Sequence, residues 1–359
     1  MRIIQYVVTF SRGDAVSNDA RAIHELLKEK GFNTEIYSEL FDPKKVGMKI
    51  YHVDNLPDLN EDDIFIYHHS IFSGLVDRIN NMRCRKIMIY HNITPEAFFL
   101  NYDAKTSQMC RKGRQELLAL KNSFDYAIAD SEFNSQELLQ LGYSCPIKVC
   151  PVLIPFDDYL KKPDRKTEKK YTDGWTNILF VGRVAPNKRH EDIIRAFNCY
   201  KKNYDSQSRL ILVGSATIDR YSEQLKSYIE MNEIQDVIFP GHISFAQILA
   251  FYKTANVFLC LSEHEGFCVP LLEAMCFKLP IVAYDACAVP NTLGAGGILL
   301  QDKRPELVAA AIDRVVKDDK LRKYIIGKQQ EQLEYFSYNR VSRQFLQLFY
   351  SFLEMKESI

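Results

Sequence analysis

The sequence has no charge bias: 46 basic side chains are balanced by 46 acidic ones across 359 residues. That balance gives no global electrostatic support for nucleic-acid binding, so no nucleic-acid partner is expected. No apolar run approaches the ~18 residues that would span a bilayer. The first ten residues, with a single arginine, read as a strand rather than a signal region. Nine cysteines are scattered without a CxxC pair or metal-like Cys/His spacing, so the sequence signals no disulfide scaffold and the cysteines read as free thiols in a reducing cytoplasm. The GxGxxG spacing of a dinucleotide site is missing. So is a convincing Asp-x-Asp metal motif, since Glu61-Asp62-Asp63 precedes a buried-looking strand. No metal and no resident cofactor are therefore expected. Repeats, low-complexity tracts and heptads are also absent.

What remains is alternation of strand and helix. Strands are expected at Arg2–Thr9, Thr34–Tyr37, Asp63–Tyr67, Lys86–Tyr90 and Tyr126–Ala129, with helices at Val16–Lys30, Arg111–Leu120 and Asn134–Gln140. Such a chain is long for one core and comfortable for two. Between them, residues 157–175 interleave lysines and an arginine with Asp, Glu, Pro and Gly, a composition that reads as a linker. A second αβ series follows to about Val316. From Leu321 the pattern is helical, and Phe345, Phe349 and Phe352 belong to an aromatic packing stripe.

The densest chemical signal is Leu261-Ser262-Glu263-His264-Glu265-Gly266-Phe267-Cys268-Val269-Pro270-Leu271-Leu272-Glu273. A strand at Ala255–Leu261 precedes it and a helix at Val269–Phe277 follows. Pro270 in the first helical turn would put Glu265 on the loop and Glu273 in the opening turns. The amides of Gly266 to Val269 would then face an anion, phosphate being the usual one. Carboxylates beside an anion site suit hydroxyl groups better than phosphate. Hydroxyls next to a phosphate describe a nucleotide sugar.

A second constellation follows the strand Asn177–Val181: Gly182-Arg183-Val184-Ala185-Pro186-Asn187-Lys188-Arg189-His190. A loop beyond the carboxyl end of a strand is where α/β domains bind ligands. The Arg183 fork and the Lys188 point charge match a diphosphate and the charge that develops as it departs. Arg189 is expected to face solvent.

These residues resemble the retaining glycosyltransferases of family 4, the glycosyl transferases group 1. The match rests on Gly182-Arg183 with Lys188, on Glu265-Gly266-Phe267, and on Glu273 at the family's separation. It extends to His91-Asn92-Ile93-Thr94-Pro95, Ala129-Asp130-Ser131-Glu132-Phe133, and Val289-Pro290 before Gly296-Gly297. The resemblance implies a GT-B fold: α/β, with two Rossmann-like domains facing an interdomain cleft. An acceptor-side domain would cover 1–160, completed by a C-terminal helix at 341–359, and a donor-binding domain 171–340.

By the same resemblance Glu265 would bind the donor hexose, Glu273 the ribose hydroxyls, and His91 would approach the transferred sugar. Gly13, in the loop Ser11 to Asn18, would let backbone approach the phosphate, with Ser17 or Asn18 capping the helix. Asp14 is open to acceptor hydroxyls or to a turn or cap. Thr94 is a candidate cap for a short helix opened by Pro95. His68 and His69 are candidates for the cleft edge. Cys268 stands where relatives often have glycine and Asn291 where many have glutamate, and Asn291 remains able to cap the next segment.

The expected activity is retaining transfer of a hexose, mannose among the candidates, from GDP-mannose or a UDP-hexose to a glycan or lipid-linked saccharide in polysaccharide or glycolipid synthesis. A nucleotide-sugar epimerase and a noncatalytic nucleotide-sugar binder are the alternatives. The base is not legible from His242 or its loop. Arg111, Lys112, Arg114 and Lys121, offset in part by Glu116, suggest weak peripheral contact with the inner membrane surface by a cytoplasmic protein, at ~1 kcal/mol per charge.

Overall fold

The computed structural model describes residues 1–11, 13–241 and 243–355. Arg12, His242 and the last four positions lie outside the described residues. The chain divides into two compact units: Met1–Ala97, Lys105–Pro155 and Phe336 onward form unit 1, while Phe98–Ala104 and Phe156–Tyr335 form unit 2.

Unit 1 is built on strands β1 (Ile3–Phe10), β2 (Thr34–Phe41), β3 (Tyr51–His52), β4 (Ile64–His69), β5 (Arg85–Tyr90), β6 (Tyr126–Ala129) and β7 (Ile147–Val149). They pair in the order β3-β2-β1-β4-β5-β6-β7, and each pairing is parallel. All six residues of β4 are buried, as befits a parallel strand covered on both faces. The helices are α1 (Ala15–Glu29), α2 (Val76–Asn81), α3 (Ala104–Ala119, whose first residue counts with unit 2) and α4 (Glu132–Gln140).

Unit 2 carries α5 (Arg165–Tyr171), β8 (Thr176–Val181), α6 (His190–Asn203), β9 (Ser208–Val213), α7 (Asp219–Met231), β10 (Val237–Gly241), α8 (Phe245–Thr254) and β11 (Val257–Cys260). It continues through α9 (Val269–Cys276), β12 (Ile281–Tyr284), α10 (Val289–Leu293), β13 (Ile298–Leu300), α11 (Pro305–Lys317) and α12 (Asp319–Tyr335). Its sheet runs β10-β9-β8-β11-β12-β13, again parallel throughout. In both units the strand order reverses beside the first strand, the doubly wound arrangement whose reversal point is a binding crevice.

One expectation changes here. Residues 157–175 are not a bare linker. Asp164 caps α5 by accepting from Thr167 N, and Tyr171 is buried against Phe251 of α8. Arg209 stacks over Tyr171 and Trp175, so the charged run is anchored by aromatic rings spaced beyond its lysines. The C-terminal helical region holds two helices, α12 and one that follows it. Its second, α13 (Tyr338–Glu354), buries Val341, Phe345, Phe349 and Phe352 in the core of unit 1 with Ile23, Leu27, Ile66 and Ile128.

Candidate functional site

In unit 2 the two loops singled out by the sequence leave β8 and β11, the neighbouring strands at the sheet's reversal. Backbone and side-chain bonds hold the second loop. Glu263 N donates to Asn187 O at 2.9 Å, and Asn187 Nδ2 donates to His264 O at 3.1 Å. Ala288 N donates to Glu265 O at 3.2 Å, and Thr292 Oγ1 to Phe267 O at 2.6 Å. The Val289-Pro290 element therefore serves as a brace. Asn291 lies inside α10 and is exposed, so it caps nothing there.

Lys188 Nζ sits 2.6 Å from Glu265 Oε2, with both side chains largely buried. Arg183 is exposed, and its guanidinium makes no ion pair or side-chain hydrogen bond among the described residues. Its loop is packed tightly against the end of β9: a Cβ on Gly214 would lie 1.9 Å from Gly182 O. No side chain fits there. Arg189 does not face solvent as expected. It adopts a left-handed backbone and pairs with Glu191 at 2.9 Å, Asp192 at 3.1 Å and Glu263 at 3.3 Å. Lys303 joins the same network through Asp192 at 2.8 Å and through Glu263. Sequence reading missed Lys303, which stands 111 residues from Asp192.

Gly266 and Phe267 lead to Cys268, which is left-handed (φ 73°) and precedes α9 without a side-chain cap. Val269 and Pro270 open the helix: Pro270 has no N–H, Leu271 N donates to Cys268 O at 3.1 Å, and the Val269 amide lacks an intrahelical partner. Glu273 is not free. Its Oε1 accepts from Tyr159 at 2.6 Å and its Oε2 from Tyr252 at 2.5 Å. Burial raises its pKa above the ordinary glutamate value, against the two hydroxyl donors, which lower it.

Unit 1 holds the remaining candidates. Asp14 caps α1, accepting from Ser17 N at 3.0 Å and Ser17 Oγ at 2.8 Å. Ser17 and Asn18 lie within the helix and are not the cap. Gly13 takes φ 85° with open space around its missing Cβ. The short helix after Pro95 is a single 3-10 turn, Glu96–Phe98.

His91 is buried within unit 1. Its side chain is 2% exposed, and both ring nitrogens face protein groups. Nε2 is 3.0 Å from His68 Nδ1 and Nδ1 is 3.4 Å from Asp130 Oδ2, while Asp19 Oδ2 lies 3.9 Å from Nε2. His68 Nε2 in turn meets Gln5 Oε1 at 2.8 Å. The imidazoles lie within 13° of coplanar with centroids 5.2 Å apart, close to the N···N distance plus two ring radii, so the nitrogens meet head-on as hydrogen-bond partners. Burial opposes charge on His91, yet the hydrogen bond and charge of Asp130, with Asp19, raise its pKa above the usual histidine value. Burial pushes Asp19 up to about 6, against the pull of His91. His68 and His69 are fully buried, not at an edge. Gln5, Asp19 and Asp130 complete a buried polar chain. Of these, only Asp130 stood in a motif visible in the sequence.

The basic cluster on α3 is also partly spent. Arg114 donates to Ile93 O and pairs with Glu137 at 2.7 Å. Glu116 turns inward to accept from Ser73 N and Gly74 N, both at 2.7 Å, so it does not offset the basic face. Among the described residues no helix is long and apolar enough to cross a membrane.

Comparison with known proteins agrees with this architecture. Residues 161–332 match the family model for glycosyl transferases group 1. The chain is 23% identical over 235 residues to the O-antigen chain mannosyltransferase B of Escherichia coli, covering 63% of this chain and 61% of that protein. It is 32% identical over 114 residues to a GDP-mannose-dependent alpha-mannosyltransferase of Mycolicibacterium smegmatis, covering 32% and 27%. The matches span about half to three-fifths of the length of the first curated relatives. Among solved structures, Anabaena HepE in complex with UDP and glucose superposes with TM-score 0.76 at 16% identity, over 98% of this chain and all of that one. Residues 161–332, which carry the 183–188 and 265–273 loops, thus match the glycosyl transferases group 1, and with parallel sheets of this order in both units the chain has the GT-B fold.

Proposed function

We propose that the protein is a retaining, metal-independent hexosyltransferase of family 4, with its nucleotide-sugar donor bound by unit 2. One observation carries this most: Arg183, exposed and without a side-chain partner among the described residues, follows β8 while the Lys188–Glu265 pair and the start of α9, which has no side-chain cap, stand at the neighbouring strand. An exposed guanidinium beside a helix N-terminus suits a diphosphate. Lys188 exchanges part of its contact with Glu265 for the phosphate, and Glu265 turns to hexose hydroxyls. Glu273 already accepts two hydroxyl donors, one on each carboxylate oxygen, which is the contact pattern a ribose diol offers.

Stabilising the departing diphosphate and orienting the anomeric carbon supply the catalysis. The acceptor attacks from the face the leaving group vacates, so configuration is retained. Unit 1 serves the acceptor side, with Gly13 and Asp14 on the loop after β1. His91 acts there through its buried charge or its backbone, since both ring nitrogens are engaged.

The donor we favour is GDP-mannose, supported by the two mannosyltransferase relatives, with a UDP-hexose second, supported by the UDP complex of HepE. A glycan or lipid-linked saccharide is the acceptor class. Any peripheral membrane contact would rest chiefly on Arg111 and Lys121, the exposed members of the basic cluster. Vesicle flotation at low and high salt tests that contact.

A binding panel of UDP, GDP, ADP and their sugars tests the donor site, followed by labelled donor with saccharide acceptors and assignment of the product anomer by NMR. Transfer with retained configuration is expected. Isomerised free donor would indicate an epimerase, and tight binding without turnover a noncatalytic binder.

A further inference from the structure

Cys260 ends β11 and Cys268 stands immediately before α9, and their sulfurs lie 4.0 Å apart. A carboxylate oxygen of Glu265 and the two sulfurs all fall within 4.8 Å of one another, and all three residues are buried. The proposed transfer chemistry uses neither thiol.

The spacing is that of a ligand set. Two thiolates at ~2.3 Å from a tetrahedral zinc are about 3.8 Å apart, and a thiolate and a carboxylate oxygen about 3.5 Å. The sulfurs are thus already at the span such an ion requires, and Glu265 needs only a small shift to supply the third atom. Two thiolates and a carboxylate around a dication leave one net negative charge. The surroundings suit that charge: the sulfur of Cys268 is at the start of α9, whose uncapped amides are the positive end of the helix. Lys188 holds Glu265 Oε2 at 2.6 Å, leaving Oε1 for the ion and acting as the outer partner that metal-bound carboxylates usually have. Soft sulfur donors select thiophilic ions over magnesium or calcium.

We propose that Cys260, Cys268 and Glu265 form a binding site for one thiophilic divalent cation of the zinc or cadmium class, with a fourth position open to water. The cation is not required for transfer. It is a competing occupant that ties Glu265 away from other ligands. The site stands on the side-chain cluster and does not depend on the transferase reading.

Titration of the reduced protein with cadmium, followed by the ultraviolet thiolate-to-cadmium charge-transfer band, tests the site without any activity assay. One equivalent is expected to bind with the intensity of two thiolates, and zinc to displace it. Cys268→Gly is the decisive variant, because position 268 has φ 73° and glycine accepts that backbone without strain, so the fold is retained. It is expected to weaken binding by about a hundredfold or more and to lose the two-thiolate band. Cys260→Ala is expected to do the same, while Cys145→Ser and Cys199→Ser bind as the parent does. No stoichiometric band in the parent, or an unchanged band in Cys268→Gly, overturns the proposal.

Discussion

The two units share one strand order but treat charge at their strand ends in opposite ways. Unit 1 turns it inward: Gln5, His68, His91, Asp130 and Asp19 join in one buried chain where β1, β4, β5 and β6 meet, with Gln5 Nε2 left without a partner among the described residues. Unit 2 keeps it available. Among the described residues Arg183 has no side-chain partner, Lys188 has one, and the surrounding network of Arg189, Asp192, Glu263 and Lys303 braces the loops without using either. A shared topology thus fixes where a site can form, and local partners decide whether the charges there hold the fold or wait for a ligand.

The largest effect expected is on unit 1. Asp130→Ala leaves a buried imidazole facing an empty position and is expected to cost about 3–5 kcal/mol, read by urea denaturation. A cost below about 1 kcal/mol would mean that His91 is neutral in the folded protein and would weaken the contrast between the units.

In unit 2 substitutions are expected to touch binding more than stability. Glu273→Gln should weaken nucleoside diphosphate and donor alike by ~1.5–3 kcal/mol, roughly ten- to a hundredfold. Unchanged affinity by calorimetry would remove Glu273 from the donor site. Arg183→Ala should lower diphosphate affinity and turnover together, whereas Glu265→Gln should spare free diphosphate and lower donor affinity and turnover. Loss of stability in both, with no such split, would make these residues structural after all.

The smallest effect concerns pH. Burial, followed by the charge of Lys188, lowers the His190 pKa to about 3. The folded state stays neutral while the unfolded chain takes up a proton below about 6.5, so this contribution is present above that pH and lost as pH falls. At pH 5.5 the loss is about 1.4 kcal/mol. Protection of the β8 and β9 amides, corrected for intrinsic exchange, should fall accordingly between pH 7.5 and 5.5, and His190→Phe should flatten the change. In unit 1 the raised pKa values of His91, Asp19 and Asp130 act in the other direction, favouring the folded state as pH falls and partly offsetting His68 and His69.

What the sequence disclosed follows from the range of the interactions involved. Strand cores and the Pro270 helix start were legible because apolar runs and proline act over a few residues. The loop bearing Glu265 was legible for the same reason. The partners of Glu273 were not, since Tyr159 and Tyr252 lie 114 and 21 positions away and tyrosines at such distances carry no local signature. Arg189 looked solvated because its three acids are distributed over α6 and a distant loop. The burial of His91 depended on Asp19 from α1, which no spacing rule connects to it. Residues 157–175 failed as a linker because a few aromatics outweighed many charges.

The position of α13 also sets an order of synthesis. Unit 1 begins at the first residue, but Val341, Phe345, Phe349 and Phe352 join its core only after unit 2 has been translated. At ~5–20 residues per second, the 181 positions from Pro155 to Phe336 keep the nascent unit 1 waiting for roughly ten to forty seconds. During that interval the groove awaiting α13 displays aliphatic side chains such as Ile23 and Leu27 to the surrounding medium. The half of the protein made first is the half finished last, and it is the half that a chaperone would have reason to hold.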